Sequence, residues 1–149
     1  MTTRATTLSA ADISVGDSLG ELAIPITRTL IVSGALASRD YQDVHHDHEL
    51  SQERGSPDIF MNILTTNGLV GRYVTDWTGP GGFLKKVDIR LGAPNYPHDT
   101  MTMTGEVVEI DQDPADAGRI EVIVSLRGAN SIGDHVTGTV TLTLPKEAS

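Results

Sequence analysis

The chain has 149 residues, 38% of them hydrophobic, which suits one globular domain, residues 1–149, with a single core. Cysteine is absent, which excludes disulfides, thiolate nucleophiles and cysteine-ligated zinc and fits a reducing cytoplasm. The formal net charge of −9, with scattered basic residues, argues against nucleic acid as a partner, because such a field repels phosphate backbones.

The first 18 residues are polar and rich in turn-forming residues, and we expect them to fray. They lack the apolar segment that a secretory signal requires. No later stretch approaches the roughly 18 consecutive apolar residues of a membrane span. The sequence therefore predicts a cytoplasmic protein without a membrane partner.

Two apolar, β-prone runs surround Pro25 in the segment "LAIPITRTLIVSGALAS" (22–38), which predicts one or two strands. The segment "HELSQERG" (48–55) predicts a short helix that ends at Gly55, because glycine accepts the left-handed conformation that follows a helix.

The longest helical pattern is "PDIFMNILTTNGLVGRYVTDW" (57–77), where apolar residues recur with the 3.6-residue helical period. Pro57 and Asp58 suit the first turn, since proline needs no donor there and a carboxylate meets the positive end of the helix dipole. Gly68 and Gly71 each weaken the helix by about 1 kcal/mol relative to alanine. They either permit close packing against a sheet or make room for a bulky ligand.

From residue 83 the hydrophobic period changes to two, which is typical of strands. The predicted strands lie in "FLKKVDIRLGAP", "DTMTMTGEVVEI", "RIEVIVSLRGAN" and "VTGTVTLTL" (136–144). The last has valines and leucines on one face and threonines on the other, which predicts a sheet with one buried face. The fold class is therefore α+β: a hotdog fold, in which a curved antiparallel sheet of about five or six strands wraps one central helix.

The stretch "SRDYQDVHHDH" (38–48) concentrates carboxylates and imidazoles and is placed on a loop. Three readings stay open from composition alone. The first is a solvated turn. The second is a metal site in which His46 and His48 bind the ion with Asp43 or Asp47, although no recognised ligand spacing supports it. The third is an acid/base pair of one Asp and one His that share the protons of one water.

The residues Ser38, Asp40, Val44, His45 and Asp47 in this stretch match a motif of the form Ser-Gly-Asp-x-Asn-Pro-(Ile/Leu/Val)-His-x-Asp. The chain therefore resembles the MaoC-like (R)-specific enoyl-CoA hydratases, although Arg39, Gln42 and Asp43 depart from the motif. The later segment "IRLGAPNYPHDTM" (89–101) is similar to another strand of that family, with His98 where glycine is usual.

The segments "RDYQDVHHD", "DIFMNIL", "GLVGRYVTDW" and "GDHVTGTV" are similar to the small subunits of MaoC-like hydratases that act on steroid side chains in actinobacteria. In those enzymes the small subunit carries the catalytic Asp and His and pairs with a larger MaoC-like chain. The resemblance implies hydration of a bulky enoyl-CoA in cholesterol catabolism, with a larger subunit in a heterodimer or heterotetramer, or otherwise a homodimer.

The resemblance also implies roles for individual residues. Asp40 would be the base that holds water, and His45 would be its second ligand and the proton carrier. Backbone N–H groups at the start of the central helix, at Met61 and above all Asn62, would stabilise the oxyanion. Apart from the resemblance, Gly68 and Gly71 are candidates to make room for the acyl group, with helix–sheet packing as the alternative.

The cations that could bind the CoA phosphates are Lys85, Lys86, Arg90 and Arg72. We expect no metal and no cofactor, because CoA is part of the substrate, and no chemical role for the imidazoles of His46, His48, His98 and His135. Two alternatives stay open: a non-catalytic hotdog partner or scaffold that binds acyl-CoA, and an acyl-CoA thioesterase.

Overall fold

The computed structural model describes residues 3–147 and consists of one five-stranded sheet and three α-helices. The helices are α1 (Arg28–Ala37), α2 (His48–Glu53) and α3 (Ile63–Thr78). The strands are β1 (Leu22–Ile26), β2 (Phe83–Leu91), β3 (Asp99–Gln112), β4 (Arg119–Ala129) and β5 (Asp134–Pro145). The predicted α+β hotdog architecture and the number of strands are confirmed.

The sheet is antiparallel throughout, in the order β1-β3-β4-β5-β2. Strand β5 keeps the predicted alternation, since Val140 and Leu142 are buried while Thr139 on the opposite face is exposed. Strands β1 and β2 form the two edges, so each has a sheet neighbour on one side only.

Helix α3 fills the concave face of the sheet. Val70, Tyr73 and Val74 are fully buried there. The ring of Tyr73 passes so close to β3 that a Cβ at Gly105 would lie 3.1 Å from its Cε1 atom, and its hydroxyl donates to the Gly20 carbonyl at 2.6 Å. A bulkier residue at position 105 would therefore push the helix away from the sheet.

Of the one or two strands predicted for residues 22–38, one is present as β1, and the second apolar run forms helix α1 at residues 28–37. Thr27 caps this helix, and its hydroxyl accepts the Leu30 N–H at 3.0 Å. Ile31 and Ala35, one helical turn apart, are buried against the rest of the core. A short apolar run does not distinguish a strand from a buried helix, so only the tertiary packing decides.

The central helix begins at Ile63, six residues later than predicted. Asn62 is its N-cap, and Pro57 and Asp58 lie in the irregular segment before it. Asp58 is drawn away from any helical turn by an ion pair with Arg28 at the start of α1. Among residues 3–147 no helix is both long and apolar enough to cross a membrane.

The expectation that the N-terminal segment frays is wrong for residues 3–18. Leu8 and Ile13 are buried in the core, and the Leu8 N–H donates to the Thr78 carbonyl at 2.9 Å. A backbone bridge also pairs Ser18 with Glu106 of β3. Long-range contacts with α3 and β3 thus order a segment whose local sequence is polar; residues 1 and 2 lie outside the described part.

Candidate active site

Asp40 lies immediately after the end of α1, where the chain reverses. Arg39 has a positive φ of 56°; its N–H donates to Leu36 O at 3.1 Å, and the Asp40 N–H donates to Ala35 O at 2.9 Å. This pair of bonds is the Schellman arrangement, which usually places glycine at the left-handed position. The turn that orients Asp40 is thus centred on Arg39, the position where the family motif has glycine.

His45 ends a short 3-10 turn formed by residues 43–45 and is almost completely buried. Its Nδ1 atom lies 2.7 Å from the carbonyl oxygen of Phe60, and the two rings meet edge to face at 5.1 Å. A carbonyl oxygen only accepts hydrogen bonds, so Nδ1 carries the hydrogen. In the neutral imidazole, Nε2 is then an acceptor.

Asp40 and His45 face each other, with 3.3 Å between the Oδ2 and Nε2 atoms. Their side chains are 18% and 7% exposed, so the pair is shielded but reachable. A carboxylate oxygen and an imidazole lone pair are both acceptors, so one water can donate one hydrogen to each. The third reading of the 38–48 stretch, an acid/base pair, is the one that this geometry supports.

The side chain of Asn62 links the helix start to Asp40. Its Oδ1 accepts the N–H of Thr65 at 3.0 Å and the hydroxyl of Thr65 at 2.6 Å. Its Nδ2 donates to Asp40 Oδ2 at 3.0 Å and to Ser38 Oγ at 2.9 Å. Because a backbone N–H only donates, the amide orientation is fixed, with the NH2 group towards Asp40.

This contact has an electrostatic consequence for Asp40. The hydrogen bond from Asn62 is the largest influence that holds the pKa of the Asp40 carboxyl below its usual value of 3.8. Partial burial acts in the opposite direction, while the Gln42 N–H and the nearby His45 lower the pKa further. Asp40 is therefore held as a carboxylate, the form that can act as a base.

Backbone donors stand at the N-terminus of α3. Within residues 3–147 the Asn62 N–H has no hydrogen-bond acceptor, although the residue is only 2% exposed. The expectation that Met61 is an oxyanion donor is wrong, because its N–H donates to Asn95 O at 3.1 Å and its side chain lies in the core. Of this predicted pair, only Asn62 keeps a free N–H at the positive end of the helix.

Ion pairs to Asp58 hold the segment that carries Phe60 and Asn62. Arg28 binds Asp58 through two hydrogen bonds of 2.9 and 2.6 Å, and His48 Nδ1 lies 2.9 Å from the same carboxylate. Burial of Asp58 opposes its ionisation, but these partners prevail and lower its pKa to about 2. Helices α1 and α2 are thereby fastened to the residues that orient His45.

Gly68 and Gly71 make no tight contact within the described chain. A Cβ at Gly68 would meet no atom within 4 Å, and one at Gly71 would make only an ordinary 3.6 Å contact with Leu84. The idea that these glycines permit close packing on the sheet is therefore wrong. The roles of Gly68 and Gly71 in acyl binding stay predictions.

Three of the four predicted CoA cations are engaged in ion pairs. Lys85 binds Asp113 and Glu121, Lys86 binds Asp88, and Arg72 binds Asp76. Of the four, only Arg90 has no ion-pair partner within the part of the chain that the structure describes.

The other imidazoles make structural contacts. His98 has a φ of 72°, which explains why glycine is usual there. His135 is buried, with Nδ1 2.7 Å from Ala93 O and Nε2 2.8 Å from Thr66 Oγ1, and burial lowers its pKa. His46 Nδ1 faces Gln42 O. No group of three or more His, Asp or Glu side chains among residues 3–147 could hold a metal ion.

Sequence reasoning missed two contributors to the site. The carbonyl of Phe60 leaves no signal in a sequence, because any residue supplies one. The amide of Asn62 was detectable as an N-cap, since Asn before an apolar helical run is a start signal.

Comparison with known proteins gives a consistent result. No protein-family model matches the chain. The chain is 48% identical over 130 residues to the 3-oxo-4,17-pregnadiene-20-carboxyl-CoA hydratase beta subunit of Mycobacterium tuberculosis, covering 87% of this chain and 95% of that one.

Solved structures agree with this similarity. A chain in the crystal structure of the ChsH1-ChsH2 complex from Mycobacterium tuberculosis is 49% identical, with a TM-score of 0.80 over 88% of this chain and 98% of that one. The R-hydratase PhaJ1 from Pseudomonas aeruginosa is 21% identical, with a TM-score of 0.83 over 97% of this chain and 90% of that one, and therefore shares the fold.

Proposed function

This chain belongs to the MaoC-like enoyl-CoA hydratases, and we propose that it is the catalytic small subunit of a hetero-oligomeric hydratase of steroid side-chain degradation. The reaction is the addition of water to the conjugated double bond of a bulky enoyl-CoA, which gives a β-hydroxyacyl-CoA. The relative that is named as a hydratase of a pregnadiene carboxyl-CoA supports the substrate class.

The observation that carries the proposal is the 3.3 Å approach of Asp40 Oδ2 to His45 Nε2, with His45 Nδ1 committed to Phe60. Water held by both acceptors has its oxygen lone pair directed away from them. It can then attack the electron-poor β-carbon of a conjugated thioester placed above the pair.

The proton follows a balanced path. Asp40 removes one proton from the water as its oxygen bonds to the β-carbon, and the hydroxyl keeps the other. The proton that Asp40 has taken passes to His45 Nε2, 3.3 Å away, and then from the imidazolium to the α-carbon. Phe60 O still accepts from Nδ1–H in the charged imidazole, so the ring keeps its orientation throughout.

Negative charge develops on the thioester oxygen when the β-carbon is attacked. The Asn62 N–H, buried and without an acceptor among the described residues, is suited to receive it. The positive end of α3 supports the same charge. No cofactor is needed, because CoA activates the substrate as its thioester.

We propose that a larger MaoC-like subunit covers the edge strand β2 and the outer face of α3. Strand β2 has β5 as its only sheet neighbour, and Val87, Ile89 and Leu91 are only partly covered within this chain. Leu64 is 49% exposed on α3, and the space above Gly68 is open. An unpaired strand edge beside an uncharged helix face favours burial against another chain.

The test is a hydration assay of the chain with and without a co-expressed larger MaoC-like subunit. We expect loss of the conjugated-thioester absorbance with the wild-type chain and a loss of activity in Asp40→Asn. The control is Asp111→Asn, which removes one exposed carboxylate on β3. Inactive wild-type protein in both conditions would contradict the proposal.

Two results would favour the alternatives. Full turnover when Asp40→Asn chain is combined with a wild-type partner would indicate a scaffold subunit whose catalytic groups lie elsewhere. Release of free CoA, measured with a thiol reagent, would indicate a thioesterase.

A further inference from the structure

Helices α1 and α3 cross at Gly34 and Thr65, and the crossing leaves no room for a side chain at position 34. A Cβ at Gly34 would overlap Thr65 Oγ1, and it would lie 2.9 Å from Cγ2 and 3.1 Å from Cβ of Thr65. By contrast, a Cβ at Gly68 in the middle of α3 meets nothing within 4 Å. Gly34 is therefore the glycine that this contact between helices requires.

Thr65 is also the anchor of Asn62. Its backbone N–H and its hydroxyl both donate to Asn62 Oδ1, at 3.0 and 2.6 Å. These two bonds direct the NH2 group of the same amide towards Asp40 Oδ2 and Ser38 Oγ. Thr65 thus contacts Gly34 of α1 and also binds the Asn62 amide that donates to Asp40.

We propose that Gly34 is a positioning residue for hydration, which sets the place of Asp40 through Thr65 and Asn62. This inference rests on the proposed function, in which Asp40 is the base. The C-terminal end of α1 carries Asp40, and the N-terminal end of α3 carries Asn62. Their separation at Gly34 and Thr65 therefore decides whether the 3.0 Å bond between Asn62 and Asp40 can form.

A methyl group at position 34 has two ways to fit, and both disturb this bond. If Thr65 keeps its rotamer, the helices must separate, which draws Asn62 away from Asp40. If Thr65 rotates, its hydroxyl leaves Asn62 Oδ1, and its Cβ is still only 3.1 Å from the new methyl. A packed interface of this kind does not absorb the change without movement.

A purely structural role for Gly34 predicts a different outcome. Alanine is the better helix former, so Gly34→Ala could leave the melting temperature unchanged or raise it if the contact relaxed freely. The positioning role predicts that kcat falls whatever happens to the melting temperature. Activity and stability are therefore measured separately.

The experiment compares Gly34→Ala, Thr65→Ala and the double variant in the complex with the partner subunit. We expect kcat of Gly34→Ala to fall by about tenfold or more, with a smaller change in KM, because a misplacement of about 1 Å is costly. Thr65→Ala keeps its backbone N–H bond to Asn62, so kcat should fall by less than about fivefold. The double variant removes the contacts with Oγ1 and Cγ2 and keeps only the 3.1 Å approach to Cβ, so kcat should recover most of the way to the level of Thr65→Ala.

Ser33→Thr is the matched control, since it adds one methyl to the adjacent, exposed position of α1. A second readout does not depend on turnover: a carbon-13 NMR titration of the Asp40 carboxyl in each variant. We expect the pKa of Asp40 to rise towards its ordinary value in Gly34→Ala and to return in the double variant.

The outcomes separate the two proposals. Inactive wild-type complex would overturn the proposed function, while the NMR titration would still decide the link from Gly34 to Asp40. Active wild-type complex with unchanged kcat and titration in Gly34→Ala would overturn this inference alone. So would a double variant as impaired as Gly34→Ala, because the effect would then not pass through Thr65.

Discussion

The Nδ1 atom of His45 lies 2.7 Å from the carbonyl oxygen of Phe60, and this contact fixes which imidazole nitrogen faces Asp40. The Phe60 N–H in turn donates to Val44 O at 3.0 Å, so the turn that carries His45 is held twice by one residue. The tautomer follows from the backbone and does not depend on the carboxylate. His45 can therefore keep its orientation while Asp40 exchanges protons with water.

His45→Gln keeps a polar side chain but removes the nitrogen that carries the proton. We expect kcat to fall by about 10²–10⁴-fold, the usual contribution of a positioned proton transfer. Because Asp40 and His45 act as one unit, the double variant with Asp40→Asn should be no slower than the slower single variant. Steady-state hydration rates test this, and additive losses would contradict the shared-water geometry.

Asn62→Asp keeps the oxygen that caps α3 but replaces the amide donor with a second carboxylate beside Asp40. The pKa of Asp40 should rise, because it loses the hydrogen bond that lowers it most and gains a like charge. Activity should then fall on the acid side at a higher pH than in the wild type. A pH profile of kcat/KM measures the shift.

Asn67→Asp is the control for Asn62→Asp, because it adds the same charge to α3 without contact with Asp40. Asn67 bonds only to the Ile63 carbonyl among the described residues. An equal shift in both variants would attribute the effect to net charge and not to the Asn62 contact.

Arg39→Gly should stabilise the fold by up to about 1 kcal/mol, because glycine adopts a φ of 56° without the steric cost that arginine has. Arg39→Lys keeps the strained conformation and should leave stability unchanged. Urea denaturation of both variants provides the comparison. If Arg39→Gly were less stable than the wild type, the contacts of the arginine side chain would stabilise the fold by more than its positive φ destabilises it.

Asp58→Asn should destabilise the chain at pH 7 by about 2 kcal/mol, since the Asp58 pKa of about 2 lies below its usual 3.8. A lowered carboxyl pKa stabilises fully above 3.8, and this contribution is lost as the pH falls through about 2. Asp43→Asn, which breaks a more exposed pair with Arg54, should cost less than about 1 kcal/mol. Urea denaturation at pH 7 and pH 4 checks both values.

His135→Gln should flatten the pH dependence of stability below about pH 6.5. Burial lowers the pKa of His135 below 6.5. As the pH falls, His135 is therefore protonated in the unfolded chain at a higher pH than in the folded chain. Stability is therefore complete above 6.5 and declines as the pH falls towards the folded pKa. Equal slopes in the wild type and in His135→Gln would contradict the prediction.

Much of the sheet was predictable, because its signals are local. The valines and leucines of β5 alternate with threonines, so the strand and its buried face follow from a period of two. Gly55 ends α2 with a φ of 89°, as its position after the helical run predicts. The pairing of Asp40 with His45 was predicted from the motif and is confirmed as a contact.

Helix boundaries and the N-terminal segment were predicted less well, because distant residues decide them. Arg28 and His48 hold Asp58 outside α3, and Thr78 and Asp76 bind the backbone of residues 3–8. Arg28 lies 30 residues from Asp58, and Asp76 and Thr78 lie about 70 residues from the segment that they bind. Local propensity gave Pro57 and Asp58 a helical first turn, and long-range ion pairs overrode it.

The sequence by itself determined strands β2 to β5, the alternation of the sheet and the presence of a carboxylate and an imidazole five residues apart, because periodicity and residue type are local properties. Only the tertiary structure decided that Phe60 orients His45, that Asn62 holds Asp40, and that Gly34 lets the two helices approach. These contacts depend on backbone groups and on the distance between helices, and both arise only when segments far apart in the chain pack together.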